Sequence, residues 1–271
     1  MHGRTGWPLA LLAIAAAVPA SAGEPPGITV VGTAFAVTDA AGRPLAQDDL
    51  VGAVIEAADT DGHALTVRID GWERDARDPT GEVVLYRLST LDGAGGWREL
   101  CGPDPDGRRL GFPLGGIWTG TGEHRHAEGA FGITCTGGAI GKCVRWGYRP
   151  WATGPDGGSM WDLHQACVRM VRADYCGDGA GWTRTGMPID LFDRLGIVRP
   201  EPMLPEGMHF EAAWAPDGAV CVHHPRVPGN ISLEAMAARC PGRLAGRTGE
   251  ACTEAGTETA LLRNRSGWRA Q

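Results

Sequence analysis

Eight cysteines offer the most chemistry in this chain: Cys101, Cys135, Cys143, Cys167, Cys176, Cys221, Cys240 and Cys252. Thiols close disulfides, hold metals or act as nucleophiles, and spacing helps to separate these uses. No Cys-x-x-Cys occurs, and the closest mixed pair, His164 and Cys167 at helical i, i+3 spacing, is a weak zinc signal. An even cysteine count in a chain with an export-like start favours disulfides. All eight are therefore assigned to disulfides, connectivity open, each contributing about 2–4 kcal/mol. A thiol-redox role would need an exposed cysteine of low pKa, and no motif points to one.

Two further groups carry chemistry. Trp146, Tyr148 and Trp151 are interleaved with Arg145, Arg149 and Pro150. Tryptophan and arginine recur at binding hot spots and stack on one another. Either these rings pack over a helix and its disulfides, or Trp146, Tyr148, Arg149 and Trp151 form a platform for a protein or carbohydrate partner. Asp174, Asp178 and Asp190 are the acids from which a hydrolase could be built. His124 and His126 could share one face of a strand, whereas His223 and His224 would point to opposite faces; both pairs read as exposed histidines. No Gly-x-Ser-x-Gly elbow, His-Glu-x-x-His pair, phosphate loop or dinucleotide fingerprint is present. Pro103-Asp104-Pro105-Asp106-Gly107 reads as a plain turn, since too few acids follow for a calcium loop. No metal and no cofactor are expected.

The first residues resemble a secretory signal: Arg4, an apolar run from Trp7 to Val18, and the small residues Ala20-Ser21-Ala22. That run falls short of the roughly 20 residues a bilayer helix needs, and no later run is long enough, so no transmembrane segment is expected in the mature protein. The formal net charge is −7 and the arginines are scattered, which argues against a nucleic-acid partner. Lys142 is the one lysine among abundant Arg, Ala, Gly and Pro, as in GC-rich bacterial genes. The expected location is periplasmic or extracellular.

These residues must be positioned by sheet and helix. Leu65, Val67 and Ile69 alternate with Thr66, Arg68 and Asp70, the period of a half-buried strand. The run Ala53 to Ala58 joins it through Asp59-Thr60-Asp61-Gly62 as a hairpin. Further strands are read at Glu82 to Ser89, with Val84, Tyr86 and Leu88 on one face, and at Trp97 to Cys101. The spacing predicts one principal helix, Met160 to about Tyr175, capped by Ser159 and Asp162 and stopped at Gly177. Its polar stripe is Asp162, Gln165, Arg169 and Arg172; Leu163, Cys167, Met170 and Val171 face inward. On such a helix Cys167 and Cys176 stand about 13 Å apart, beyond the ~7 Å that a disulfide spans. Cys135 and Cys143 are then the natural partners, giving a loop stapled twice to the helix. Asp174 falls on the apolar side, where it needs backbone N–H groups or an arginine such as Arg145 or Arg149; the alternative is a general acid or base of raised pKa. His164 lies about 15 Å along the helix from Asp174, so the two form no dyad. Phe210 to Trp214 and Ala219 to Val222 read as a closing hairpin, followed by a short helix from Leu233 to Arg239 and a polar tail.

From about Phe131 to Cys221 the chain resembles the ADYC-domain proteins, a group of exported bacterial proteins. The resemblance rests on Gly141-Lys142-Cys143, Trp146-Gly147-Tyr148-Arg149-Pro150-Trp151, Ala166 to Arg172, Ala173-Asp174-Tyr175-Cys176, Gly177-Asp178-Gly179, Thr183, Gly186 and Ile189-Asp190. It implies an exported, cysteine-stapled domain and carries no activity with it. The expected fold is α+β, mainly antiparallel β in a small sandwich or open barrel, with one principal helix. The expected parts are a signal peptide (1–22), a β-rich region (23–95), the stapled domain (96–225) and a short helix with a polar tail (226–271). The chain reads as a binding or structural module of the bacterial envelope or exterior rather than an enzyme. A hydrolase around Asp174, Asp178 and Asp190 is the alternative.

Overall fold

The alternating run around Val67 forms a strand of the first unit's sheet, one in from its edge. The computed structural model describes residues 27–59, 62–119 and 121–267, so the expected signal peptide lies outside the described residues. The chain divides into two compact units, residues 1–141 and 142–271.

In the first unit, β1 (Ile28–Val31) and β2 (Ala34–Val37) form a hairpin. Next come β3 (Val54–Ala58), β4 (Ala64–Arg74), β5 (Val84–Leu91), β6 (Trp97–Glu99) and β7 (Gly111–Gly115). The short pair β8 (Ile117–Trp118) and β9 (His124–Arg125) precedes β10 (Phe131–Cys135). A six-stranded antiparallel sheet runs β10-β7-β5-β4-β3, with β6 also on β5. Val67 and Ile69 of β4 are buried and Arg68 and Asp70 half-exposed, as the alternation requires. Strand β5 is buried on both faces, not one. Phe35 of β2 packs on Tyr86 (ring centroids 5.0 Å) and on Phe131 (5.9 Å), and its N–H donates to the Tyr86 hydroxyl at 3.0 Å. The Cys101–Cys135 disulfide (Cα–Cα 5.5 Å) ties the loop after β6 to the end of β10. Strands β6, β7 and β10 thus belong with the N-terminal sheet, although they lie beyond residue 95. Backbone pairing of β6 and β7 to β5, and of β10 to β7, draws them there.

The second unit has α2 (Trp161–Arg172) as its main helix, preceded by α1 (Ala139–Arg145), within which the boundary between the units falls. Strands β11 (Ile189–Asp193), β12 (His209–Ala215), β13 (Gly218–Val222) and β14 (Leu262–Ser266) form an antiparallel sheet in the order β11-β14-β12-β13. Helices α3 (Leu233–Arg239) and α4 (Pro241–Leu244) lie between β13 and β14. The expected hairpin is β12–β13. The expected polar tail instead supplies β14, which sits between β11 and β12. Its inward residues are Leu262, Asn264 and Ser266. Two of those three are polar, so no apolar alternation marks the strand. The fold is α+β and mainly antiparallel β, as expected, and four disulfides pair all eight cysteines.

Candidate functional site

Helix α2 ends three residues earlier than the glycine signal predicts, and that early end builds the corner that follows. Ala173 takes a left-handed conformation (φ 51°, ψ 43°). Its N–H donates to Met170 O at 3.0 Å, and the Asp174 N–H reaches back to Arg169 O at 2.9 Å. This is the Schellman pair of bonds that normally calls for glycine. Here the methyl of a fully buried alanine occupies the position.

The reversal folds Asp174 back onto its own helix. Arg169 Nη1 donates to Asp174 Oδ2 at 2.6 Å, and the Gly179 N–H donates to the same oxygen at 3.0 Å. Both partners are buried, 2 % and 0 % exposed at the side chain. The sequence places Arg169 on an outer polar stripe and gives Asp174 backbone N–H groups or an arginine such as Arg145 or Arg149; Gly179 supplies the N–H. The cation comes instead from within the helix, because the left-handed turn brings the carboxylate beside the last inward arginine. Oδ1 of Asp174 is buried with no hydrogen-bond partner among the described residues.

Tyr175 enters a second buried network. Its hydroxyl donates to Glu211 Oε1 at 3.0 Å and accepts from the Arg226 N–H at 2.8 Å. Arg226 grips Glu211 with two prongs, Nε to Oε2 at 2.9 Å and Nη2 to Oε1 at 3.0 Å. The same guanidinium donates to Met170 O (2.8 Å) and Val171 O (3.1 Å), carbonyls of the last turn of α2. Asn264 of β14 donates to Glu211 Oε2 at 2.7 Å and accepts from Trp214 Nε1 at 2.8 Å. Trp214 stacks on Tyr175 with centroids 5.4 Å apart. Burial alone would raise the Glu211 pKa; the charge and hydrogen bonds of Arg226 and the Asn264 amide overcome it and hold the carboxyl below the ordinary range. Burial, then the Glu211 charge, push the Tyr175 hydroxyl well above 10.0.

Cys176 completes the corner by a disulfide to Cys240 at the end of α3 (Cα–Cα 5.7 Å). Gly177 follows at φ 72°, and a Cβ there would stand 1.8 Å from Asp217 O in the β12–β13 turn. Tyr175 O accepts from the Ala219 N–H at 2.9 Å on the far side of that turn. Corner and hairpin therefore meet backbone to backbone. Cys167 pairs with Cys143 (Cα–Cα 5.9 Å), as expected, and Cys221 with Cys252 (5.5 Å). The double staple from the preceding loop is not formed: Cys135 is taken by Cys101 and Cys176 by Cys240.

The three acids of the hydrolase reading are each held by a different arginine. Asp178 is exposed and meets Arg239 at 2.6 Å, which holds its carboxyl low along with the Ala180 N–H, against a burial effect of opposite sign. Asp190 accepts from Arg265 at 3.2 Å and from the Glu201 N–H at 3.1 Å. Of the four platform residues, Trp151 is 38 % exposed, Trp146 and Arg149 are half-buried, and Tyr148 is fully buried. Tyr148 donates to Asp193 Oδ2 at 3.0 Å, and burial followed by the Asp193 charge raises its pKa. Asp193 also accepts the N–H groups of Leu195, Ile197 and Val198. His124 and His126 do not share a face: His124 is buried against Trp118 (centroids 4.3 Å) and His126 is exposed. Sequence reasoning missed Arg169, Glu211, Arg226 and Asn264, which carry the buried network. A glutamate inside the apolar run Phe210 to Trp214 was the available signal.

Compared with known families, the chain matches the model of the ADYC domain over residues 47–228. None of the curated proteins and none of the solved structures compared with it matches. The chain belongs to the ADYC-domain family.

Proposed function

We propose that this member of the ADYC-domain family is a disulfide-stapled binding or structural module of the bacterial envelope or exterior, and that its tetrapeptide is architectural rather than catalytic. One observation carries the reading. The reactive groups of Ala173-Asp174-Tyr175-Cys176 are engaged inside the fold, in an ion pair, a hydroxyl network and a disulfide. A catalytic acid must reach substrate, and Asp174 and Tyr175 have no exposed surface. Four disulfides suit an oxidising compartment. Among the described residues no helix is long and apolar enough to cross a membrane.

The binding face is the stretch around Trp151, whose partly exposed indole lies two residues from half-buried Arg149. A partly exposed indole suits the apolar face of a sugar or a protein side chain. Binding of the oxidised chain to bacterial cell-wall polysaccharides and defined glycans, read by tryptophan fluorescence, tests this. Trp151→Ala should weaken binding at least tenfold with circular dichroism unchanged; every ligand still bound by that variant would sink the platform. The hydrolase alternative takes over if the wild type turns over ester or glycoside substrates and a folded Asp178→Asn or Asp190→Asn variant does not.

A further inference from the structure

The four disulfides are not equally sheltered. Cys143 and Cys167 are both fully buried, and Cys221 and Cys252 are buried as well. Cys101 is buried and its partner Cys135 half-buried, but strand pairing clamps that bridge. Cys135 stands opposite Gly111 in the β10–β7 register, and a Cβ on Gly111 would lie 2.9 Å from the Cys101 sulfur. Cys176–Cys240 differs from the other three: both of its residues are half-exposed.

The segment that this bridge holds has few other anchors. Cys240 lies between α3 and α4, beyond the residues 47–228 that match the family. These helices have seven and four residues, too few to be stable by themselves. Each buries a single side chain, Met236 in α3 and Leu244 in α4. Ser232 caps α3, accepting the Ala235 N–H at 3.1 Å. Two ion pairs tie the helices to the corner and hairpin, Arg239 with Asp178 and Arg243 with Asp217, and in each the acid is open to solvent (38 % and 73 % exposed). Solvent-exposed pairs contribute little. The ends of the segment are fixed separately. Asn230 donates to Trp182 O at 3.3 Å before α3, and after α4 Arg247 O accepts the Val222 N–H at 3.1 Å, close to the buried Cys221–Cys252 bridge. Cys240 is thus the staple in the middle of a strap pinned at both ends.

We infer that Cys176–Cys240 is a redox-sensitive latch: a dithiol reductant of the thioredoxin class opens it while the other three bridges stay closed, and the strap over residues 229–251 then lifts from the corner. Access decides which disulfide exchanges, because the attacking thiolate must reach a sulfur, and sulfurs buried on both sides require unfolding first. The thiolate of the reductant bonds to one sulfur of the bridge, the S–S bond breaks, and the other sulfur leaves as a thiolate that takes up a proton. The second thiol of the reductant then displaces the chain from the mixed disulfide. The chain gains two electrons and two protons, and the reductant becomes a disulfide. The new Cys240 thiol has an acceptor in place, Met236 O at 3.3 Å within its own helix. That bond survives the lifting of the strap and favours the neutral thiol, which slows reclosure. Opening uncovers Met236, now 0 % exposed, and separates the tetrapeptide from the C-terminal segment.

The test is graded reduction of the oxidised full chain, without denaturant, by dithiothreitol and by a thioredoxin. Iodoacetamide traps the free thiols, and peptide mass spectrometry identifies them. Cys176 and Cys240 should be labelled together, roughly tenfold faster than any other pair. Trypsin gives the structural readout. In the chain labelled at those two cysteines, cleavage after Arg239, Arg243 or Arg247 should rise roughly tenfold over the oxidised chain, because local opening exposes the backbone. The variant Cys176→Ser/Cys240→Ser, with the other three disulfides formed, should show the same cleavage without reductant. Labelling of another pair first, or of all eight cysteines at once, would overturn the latch. So would a strap that stays as trypsin-resistant as in the oxidised chain once Cys176 and Cys240 are labelled. The wild-type labelling decides the matter even where the double variant fails to fold. Failure here leaves the Trp151 platform untouched, because the two readings share no residue.

Discussion

Arg226→Met should destabilise the second unit more than any other conservative change at its helix end. The side chain is 1 % exposed and its partner Glu211 is 0 % exposed, so solvent screening does not dilute the interaction. The substitution keeps most of the volume but removes two bonds to Glu211 and two to the carbonyls of Met170 and Val171. Charge-assisted bonds contribute about 1.5–3 kcal/mol each, but burying the guanidinium offsets much of that sum. What remains is the cost of a buried carboxylate with no cation, to which Tyr175 and Asn264 still donate. Breaking one side of such a pair typically costs about 3–5 kcal/mol. With a guanidinium denaturation slope of about 4 kcal/mol/M, the midpoint should fall by roughly 1 M. Guanidinium titration with disulfides intact, followed by near-ultraviolet circular dichroism of the Trp214–Tyr175 stack, measures it. The double variant Arg226→Met/Glu211→Leu should recover much of the loss, since it buries no charge. A loss under about 1 kcal/mol for Arg226→Met, or a double variant as unstable as the sum of the singles, would refute the reasoning.

Three other outcomes follow from the same corner and core. Gly177→Ala should cost about 3 kcal/mol or more, because its Cβ would stand 1.8 Å from a backbone carbonyl that no rotamer change can move; a midpoint within experimental error of wild type would refute this. The chain has three tyrosines, all buried: burial holds Tyr86 at about 12 and, with a neighbouring acid, lifts Tyr148 and Tyr175 above 10.0. A raised folded value leaves their stabilisation complete below 10.0 and lost as the pH climbs beyond it. Alkaline titration should therefore show no tyrosinate absorbance near pH 10 in the native protein, and release tied to unfolding above it; a hydroxyl that titrates normally before unfolding contradicts the burial. Glu211 works in the opposite direction. Its depressed folded value gives stability that is complete above its ordinary 4.5 and lost as the pH falls through the folded value. Stability measured from pH 7 to 3 should accordingly drop more steeply for wild type than for Glu211→Gln below about pH 4.5, and parallel curves would show that the carboxylate is not the cause.

The tetrapeptide that marks the family is explained by geometry rather than chemistry. Ala173 reverses the chain, Asp174 neutralises Arg169, Tyr175 joins Glu211 and Arg226, and Cys176 holds α3. Arg239 reinforces the last link, pairing with Asp178 and lying 5.8 Å over Trp182. Such a corner locks helix, hairpin and C-terminal segment together.

The sequence alone determined what depends on near neighbours. Alternation at Leu65 to Asp70 specified a strand, and helical spacing from Met160 onward a helix, although it ends at Arg172 rather than near Tyr175. Cysteine number and the absence of close metal spacing pointed to disulfides, which the fold contains. Long-range matters were decided only by the tertiary structure. Cys176 finds Cys240 across 64 residues, Glu211 finds Asn264 across 53, and His209 finds His224 across a strand pairing. Strand β14 was hidden because its inward Asn264 and Ser266 are polar, one of them bonded to a buried acid, so apolar periodicity carried no trace of it. Asp174 does take a backbone N–H and an arginine, but the arginine is Arg169 of its own helix, because a single left-handed residue redirects the chain. Local periodicity encodes which elements form; which of them meet is settled by the packing that buries their charged groups together.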